Sequence, residues 1–330
     1  MKNKVYLCLL VLIGFLLGLI ITVLFDIYIS DYVNADIENF YISKNKILVY
    51  SMRSSWLYRT GININKQGFR DDDFDIKKGN VKILCFGDST TFGEAVEKKS
   101  LYTNVLSELL SEKYSVYNFG INGYNTIQEA ENLRYNGIKY TPNIVVFLFC
   151  LNDFDICCDL SIYYAAKSNF CRLNVFLCKS WFYRRFIFVS IVNLIDFLKN
   201  EGRNIVDMYR KYGEIDVSDV KDEEIGVKVI SELQKQYGFK CYFFILPYFS
   251  NFDNYLKEDE EIHNRIKNIL QKYPNIKYFD LKEDFMNVSK NDEVFRAEPW
   301  DDIHPNEYGH ELIAKFIYDK LKFDGALEDE

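Results

Sequence analysis

Val81-Lys82-Ile83-Leu84-Cys85-Phe86-Gly87-Asp88-Ser89-Thr90-Thr91-Phe92-Gly93 is the stretch whose reading decides the fold. Its first half is an apolar run of strand character, and Gly-Asp-Ser follows directly. Tyr102-Thr103-Asn104-Val105-Leu106-Ser107-Glu108-Leu109-Leu110 then carries a helical pattern. A serine where a buried parallel strand gives way to a helix stands at the carboxyl edge of the sheet, where α/β proteins place their sites. N–H groups at a nearby helix start favour negative charge there, which suits a nucleophile whose reaction creates an oxyanion. Read alone, the string also fits an ordinary strand–helix turn with a capping serine.

Outward from this strand, apolar runs and helical patterns alternate, which predicts a parallel sheet. Strands are expected near 81–87, 115–119, 143–150, 239–246 and 276–280, and helices near 101–112, 126–138, 222–237, 257–272 and 307–322. Thr126-Ile127-Gln128-Glu129 reads as the capped start of the second helix. Right-handed crossovers would give a three-layer α/β/α sandwich.

A serine needs a base, and the chain has only three histidines. His263 lies in a charged helical stretch with Glu260, Glu261 and Arg265 and is expected on the solvated surface. His310 follows Gly309 inside the last helix, where surface or packing duty is the better reading. His304 precedes a proline in Trp300-Asp301-Asp302-Ile303-His304-Pro305-Asn306, with Asp301 three residues upstream. Such a turn sets a carboxylate against one imidazole nitrogen and leaves the other free to take a serine proton. Asp302 is the competing carboxylate, and spacing favours Asp301. The plain alternative is an Asx-type turn capping the helix that begins near Glu307.

Two further segments end strands. Val116-Tyr117-Asn118-Phe119-Gly120-Ile121-Asn122-Gly123-Tyr124 runs into a Gly/Asn-rich turn, and Ile144 to Leu151 is an apolar strand ending in Asn152-Asp153. Serine, glycine, asparagine and Asp-x-x-His, in that order, resemble the SGNH (GDSL-type) hydrolase family, over about residues 60 to 153 and 275 to 322. The likeness is greatest to membrane-anchored bacterial members that carry an Asn-x-x-Gly-Phe-Arg segment, here Asn65 to Arg70. The resemblance implies an SGNH, flavodoxin-like sandwich and assigns Ser89 as nucleophile, His304 as base and Asp301 as its orienting carboxylate. It also implies an oxyanion hole made by the N–H groups of Ser89 and Gly123 and the side-chain amide of Asn152. Thr90 stands where that family has leucine, and Cys150 where a glycine often precedes Asn-Asp, so Cys150 narrows the expected site.

The start of the chain has its own signature. From Val5 to Phe25 it is uncharged and nearly all apolar, long enough for a helix to cross a ~30 Å hydrocarbon core. A cleaved signal peptide has a shorter apolar region and a small-residue cleavage site, and neither is evident. The reading is one uncleaved transmembrane anchor over residues 1–30. Lys2 and Lys4 precede it and Asp26, Asp31, Asp36 and Glu38 follow, so the bulk of the chain is expected outside the inner membrane. Residues 31–80 form a connecting arm packing on the core, in which Arg70 is expected to be structural and Asp71-Asp72-Asp73 a solvated turn. Residues 81–330 form the hydrolase domain, with an aromatic-rich insertion at 154–216 that begins at the site's edge. That insertion is either an apolar lid or face toward the bilayer, or part of the core of an oversized domain.

Composition bounds the partners. A net charge of −8 argues against nucleic acid and anionic membrane surfaces. No cofactor is expected, since no Gly-rich phosphate loop is present. Of the eight cysteines, Cys85, Cys150 and Cys241 sit in strand-like runs and read as small buried hydrophobes. Cys157, Cys158, Cys171 and Cys178 cluster where disulfides are permitted, with unspecified pairing. Their spacing does not fit a metal site, and none is expected. Function therefore narrows to a membrane-anchored serine esterase acting on an acyl, chiefly acetyl, ester of an envelope glycan or lipid. An O-acyltransferase with the same triad and a non-catalytic envelope-assembly binding protein are the competing readings.

Overall fold

The computed structural model describes residues 2–29, 40–52, 57–58, 62–74, 81–154, 204–250, 252 and 255–328; within 2–29 and 57–58 it describes side chains only for Tyr6 and residues 12–24. The first helix, α1, runs from Lys2 to Ile29 as 28 continuous residues. Over the described residues alone, no helix is long and apolar enough to cross a membrane. Two short antiparallel ribbons follow, β1 (Phe40–Ile42) with β2 (Tyr50–Met52), and β3 (Leu57–Tyr58) with β4 (Ile62–Asn63).

The centre is a five-stranded parallel sheet of β5 (Val81–Phe86), β6 (Tyr114–Asn118), β7 (Ile144–Phe149), β8 (Lys240–Ile245) and β9 (Ile276–Asp280), in the order β6-β5-β7-β8-β9. Every strand lies within one residue of its expected bounds. Central strands of a parallel sheet are buried on both faces, and all six residues of β7 are buried. Alternate residues then serve two cores. Leu84, Phe86, Val145, Phe147 and Phe243 belong to one, and Ile83, Cys85, Val146, Leu148 and Phe244 to the other.

Helices cover both faces. After the four-residue α2 (Ser89–Phe92) come α3 (Tyr102–Leu109), α4 (Thr126–Asn132), α5 (Ile205–Tyr212), α6 (Ile225–Tyr237), α7 (Lys257–Leu270), α8 (Lys282–Val288) and α9 (Glu307–Phe323). Residues of α4, α5, α6 and α7 complete the first core; residues of α3, α8 and α9 complete the second. The expected helix at 126–138 is α-helical only to Asn132, then passes through a π turn (Leu133–Gly137) and a 3-10 turn (Ile138–Tyr140). Its cap is Asn125 rather than Thr126: the Asn125 side chain accepts the Gln128 N–H, and Gln128 returns the bond.

In the arm, Phe69 and Phe74 pack on Phe119, at ring-centroid distances of 4.5 and 5.0 Å. Arg70 is buried, 2 % exposed. Its guanidinium donates to the carbonyls of Phe92 (3.2 Å), Gly93 and Val96 (2.6 Å). It thereby fixes the chain that leaves α2, which is the structural role expected of it. Asp71 departs from the solvated-turn expectation. It is half-buried, accepts the Asn118 N–H at 2.9 Å, and burial pushes its carboxyl up to about 6. Of the expected insertion, Phe154 and the residues from 204 onward are described, and Ile205, Val206 and Tyr209 are core. The rest of it, with Cys157, Cys158, Cys171 and Cys178, lies outside the described residues.

Candidate active site

In the order β6-β5-β7, the chain passes from β5 to β6 on one side and later returns to β7 on the other. The crevice at such a reversal is the usual ligand site of an open α/β sheet. Ser89 follows β5 and Asn152 follows β7, so the topology brings both to that crevice. Asp88 caps α2: its Oδ1 accepts the Thr90 N–H at 2.9 Å. Gly93 closes the helix at φ 77°. Gly120 lets the next loop lie against this turn, because a Cβ there would sit 2.4 Å from the Phe92 nitrogen.

The Ser89 Oγ lies 2.8 Å from His304 Nε2, and His304 Nδ1 lies 2.8 Å from Asp301 Oδ2. Asp301 Oδ1 accepts the N–H groups of Ile303 (3.1 Å) and His304 (2.9 Å), so the carboxylate and the imidazole are fixed by one turn. Asp302 has a different duty, its carbonyl accepting the Phe249 N–H at 2.7 Å. Burial of the His304 ring favours its neutral form, but the Asp301 hydrogen bond and charge, aided by Asp88 and Glu94, outweigh it and raise its pKa. Burial likewise opposes ionisation of Asp301, and the bonds from His304 overcome it and hold its carboxyl below the usual range. At neutral pH this line can accept a serine proton and shelter the resulting imidazolium.

Gly123 adopts φ 70°, a conformation that favours glycine. The Tyr50 hydroxyl of β2 donates to the Gly123 carbonyl at 2.8 Å, and the Tyr124 hydroxyl donates to the Tyr50 carbonyl at 2.6 Å, so the arm braces this loop. Among the described residues, the N–H groups of Ser89 and Gly123 are given to no acceptor. Asn152 sits in the 3-10 turn Leu151–Phe154. Its Nδ2 lies 3.3 Å from Asp88 Oδ2, the oxygen that also lies 3.3 Å from Ser89 Oγ. A carboxylate only accepts, so it draws the nitrogen end of the amide toward the serine, leaving a second N–H for a ligand.

Several neighbours escaped the sequence reading. Asp88, fully buried, joins Ser89 to Asn152; its signal was present inside Gly-Asp-Ser. Glu94 accepts the Asn122 side-chain amide at 3.1 Å and stands close enough to act on His304. Glu129, read as part of a capping motif, is buried with both carboxyl oxygens unpartnered among the described residues. Burial, reinforced by the charge of Asp88, pushes its pKa well up and keeps it neutral. Nothing in local sequence distinguishes that glutamate from an exposed one.

The other two histidines are both enclosed. His263 corrects the surface expectation: its side chain is 0 % exposed, with Nδ1 3.4 Å from Asp280 Oδ2. It falls on the inward stripe of α7 with Ile266 and Leu270, a spacing that the surrounding charges mask. His310 is buried against Tyr102 and takes its N–H at 3.2 Å, which is packing duty; burial drives its pKa down to about 3. Cys85, Cys150 and Cys241 are free and buried. Cys150 Sγ lies 3.1 Å from Thr90 Oγ1, beneath the serine turn rather than in the open cleft. Among the described residues, no group of three or more His, Cys, Asp or Glu side chains is arranged for a metal ion.

The sequence profile of the GDSL-like Lipase/Acylhydrolase family matches residues 85–312, more than half of the chain. The chain belongs to that family. It is an ester hydrolase of the GDSL/SGNH type. Among solved structures it is similar to the acetyl xylan esterase AlAXEase (17% identity, TM-score 0.45, covering 73% of this chain and 100% of that one). It is also similar to a catalytic mutant of Axe2, an acetylxylan esterase from Geobacillus stearothermophilus (16% identity, TM-score 0.44, 75% and 96% covered). A third is the psychrotrophic esterase EstA from Pseudoalteromonas sp. (12% identity, TM-score 0.43, 74% and 99% covered). No curated protein sequence gives a significant match.

Proposed function

We propose that this GDSL-type hydrolase is a membrane-anchored serine esterase that removes an acyl group, chiefly acetyl, from an ester of an envelope glycan or lipid. The observation that carries the reading is the continuous line Ser89 Oγ, His304 and Asp301, with both gaps at 2.8 Å. His304 Nε2 takes the hydroxyl proton as Ser89 Oγ bonds to the ester carbonyl carbon. The resulting oxyanion is met by the N–H groups of Ser89 and Gly123 and the free N–H of Asn152. His304 then gives its proton to the departing alcohol, leaving an acyl-serine. A water molecule, deprotonated by the same nitrogen, releases the carboxylic acid and restores the serine.

Anchoring is supported by the length of α1, 28 residues or about 42 Å of helix, and by its uncharged run from Val5 to Phe25. Lysines on its amino-terminal side favour a cytoplasmic start and an extracytoplasmic catalytic domain. The decisive experiment is Ser89→Ala in the full chain. Its p-nitrophenyl acetate turnover should fall by about 10⁶-fold with the circular dichroism spectrum and melting point retained. Turnover persisting in that variant removes Ser89 from the chemistry.

A further inference from the structure

Glu129 is a carboxylic acid enclosed without a partner. It lies in the first turn of α4 and is 1 % exposed. Neither carboxyl oxygen has a hydrogen-bond partner among the described residues. Two contacts fix its place. At the start of α4 the Thr126 hydroxyl donates to the Asp153 carbonyl at 3.3 Å, just past β7. Further along, the Asn132 side-chain amide donates to the Phe119 carbonyl at 3.0 Å, just past β6. Residues three apart are neighbours on a helix surface, so Glu129 falls between these contacts. β5 runs between β6 and β7, which sets Glu129 over its end, where Gly87 leads into Asp88. α6 seals the place from outside: a Cβ on Gly226 would sit 2.8 Å from Thr126.

Two carboxyl groups in so dry a place do not both ionise. Hydrogen bonds decide which one keeps a proton. Asp88 is met by the Thr90 N–H at 2.9 Å and by the Ser89 hydroxyl and Asn152 amide nitrogen, each at 3.3 Å. All three favour a carboxylate there. Glu129 is given none, and burial, followed by the charge of Asp88, pushes its pKa well up. The other titratable groups around it are Asp153 on the turn after β7 and the Tyr102 phenol, on which its charge acts. On α4, α5 and α6, Arg134 pairs with Glu131, Arg210 with Asp222, Lys228 with Asp219 and Lys235 with Glu232. None of them offsets a charge on Glu129. The proton's place matters to Asn152. A proton on Asp88 Oδ2 would make that oxygen a donor and draw in Asn152 Oδ1, which has no partner of its own among the described residues. The amide would then turn over and withdraw its N–H from the oxyanion.

Resting on the esterase reading, we propose that Glu129 is a positioning residue. It carries the one proton of the pair, and its neutral carboxyl group solvates Asp88 as a carboxylate, which holds the amide nitrogen of Asn152 toward the oxyanion. Glu129 touches no substrate and takes no part in bond making.

Full-length, detergent-solubilised protein is assayed on p-nitrophenyl acetate. Glu129→Gln, which keeps a neutral donor, should stay within about threefold of the parent in kcat. Glu129→Leu offers no dipole, so Asp88 takes up a proton and kcat should fall about 10-fold with KM little changed. In an Asn152→Ala background the same leucine should cost under about twofold, because the amide it acts through is gone. An equal loss in both backgrounds overturns the proposal, since a merely structural role acts on either alike. So does a kcat for Glu129→Leu within about twofold of the parent. Infrared spectra locate the proton independently of turnover and of how the leucine variant folds. At about pH 8 ordinary carboxyls are ionised, so S89A should show the C=O stretch of a neutral carboxylic acid that S89A/E129Q lacks. Its absence from S89A overturns the proposal. If the band is present but the parent does not hydrolyse the ester, the esterase reading falls and the positioning role with it, while the proton's place on Glu129 stands.

Discussion

The molecule contains two histidine–aspartate pairs built almost alike. In one, Asp301 holds His304 at 2.8 Å and the far nitrogen meets the Ser89 hydroxyl at 2.8 Å. In the other, Asp280 stands 3.4 Å from His263, whose far nitrogen meets the Tyr255 hydroxyl at 2.9 Å. Each is a carboxylate, an imidazole and a hydroxyl in line. They differ in the third partner and in access. The His304 side chain is 25 % exposed and that of His263 is 0 % exposed. Tyr255 also accepts the Tyr248 N–H at 3.0 Å, and burial pushes its phenol far above the usual range. Asp280 is shared with Lys267 Nζ at 3.0 Å. The second line is a clamp joining α7, β9 and the turn after β8. A relay becomes a site only where its hydroxyl can lose a proton and meet a substrate.

That contrast breaks first on substitution of the imidazoles. His304→Gln should reduce turnover of p-nitrophenyl acetate by roughly 10⁴–10⁶-fold while the urea midpoint stays put. His263→Ala should do the reverse. It leaves kcat within about 10-fold of the parent and costs about 3 kcal/mol of stability, through a cavity and a weakened buried ion cluster. Loss of turnover in His263→Ala without destabilisation would erase the distinction.

Next come the carboxylates. Asp301→Asn should cost about 10³–10⁴-fold in kcat, because the amide no longer fixes the imidazole tautomer. As the proposed base, His304 works only when neutral, and its pKa is raised. The acid limb of kcat/KM in the parent should therefore lie above the ordinary 6.5, and residual activity of Asp301→Asn should show it displaced to lower pH. Asp280→Asn should leave that limb unmoved. Asn152→Ala, which removes a single donor, should cost about 10²–10³-fold in kcat with KM little changed. A rise in KM alone would mean that Asn152 binds substrate without meeting the oxyanion.

The sequence made one pair visible and hid the other for a physical reason. Asp301 and His304 are three residues apart, within one turn, so their contact is local. Asp280 and His263 meet only because α7 packs beside β9, and the flanking Glu260, Glu261 and Arg265 disguise the buried stripe. The central strands were legible because a strand buried on both faces is nearly apolar throughout, as in Ile144 to Phe149. Asp88 and Glu129 were not legible as a buried acidic pair. Their burial depends on the close approach of α4 to the end of β5, which no window of sequence records. The unusual ending of α4 was equally hidden, since its residues keep an ordinary helical pattern through Ile138.

The smallest expected difference is in how acid acts on the two pairs. Burial works to raise the Asp280 carboxyl, but the hydrogen bond and charge of His263, with donors from Lys282 and Lys267, hold it well below the ordinary range. Asp301 is lowered in the same sense, with His304 and two backbone N–H groups as its donors. A carboxylate whose folded pKa is depressed contributes stability above its unfolded pKa and loses it as pH falls through the folded value. Both pairs should therefore weaken below about pH 4, the ordinary carboxylate range. The stronger hold on Asp280 makes its share the larger, on the order of 1–3 kcal/mol at neutral pH. Urea titrations at pH 3 and pH 7 should show the stability gap shrinking more in Asp280→Asn than in Asp301→Asn. Equal gaps in the two variants would mean that the buried clamp is no stronger than the half-open pair proposed for the chemistry, and enclosure would then have bought it nothing.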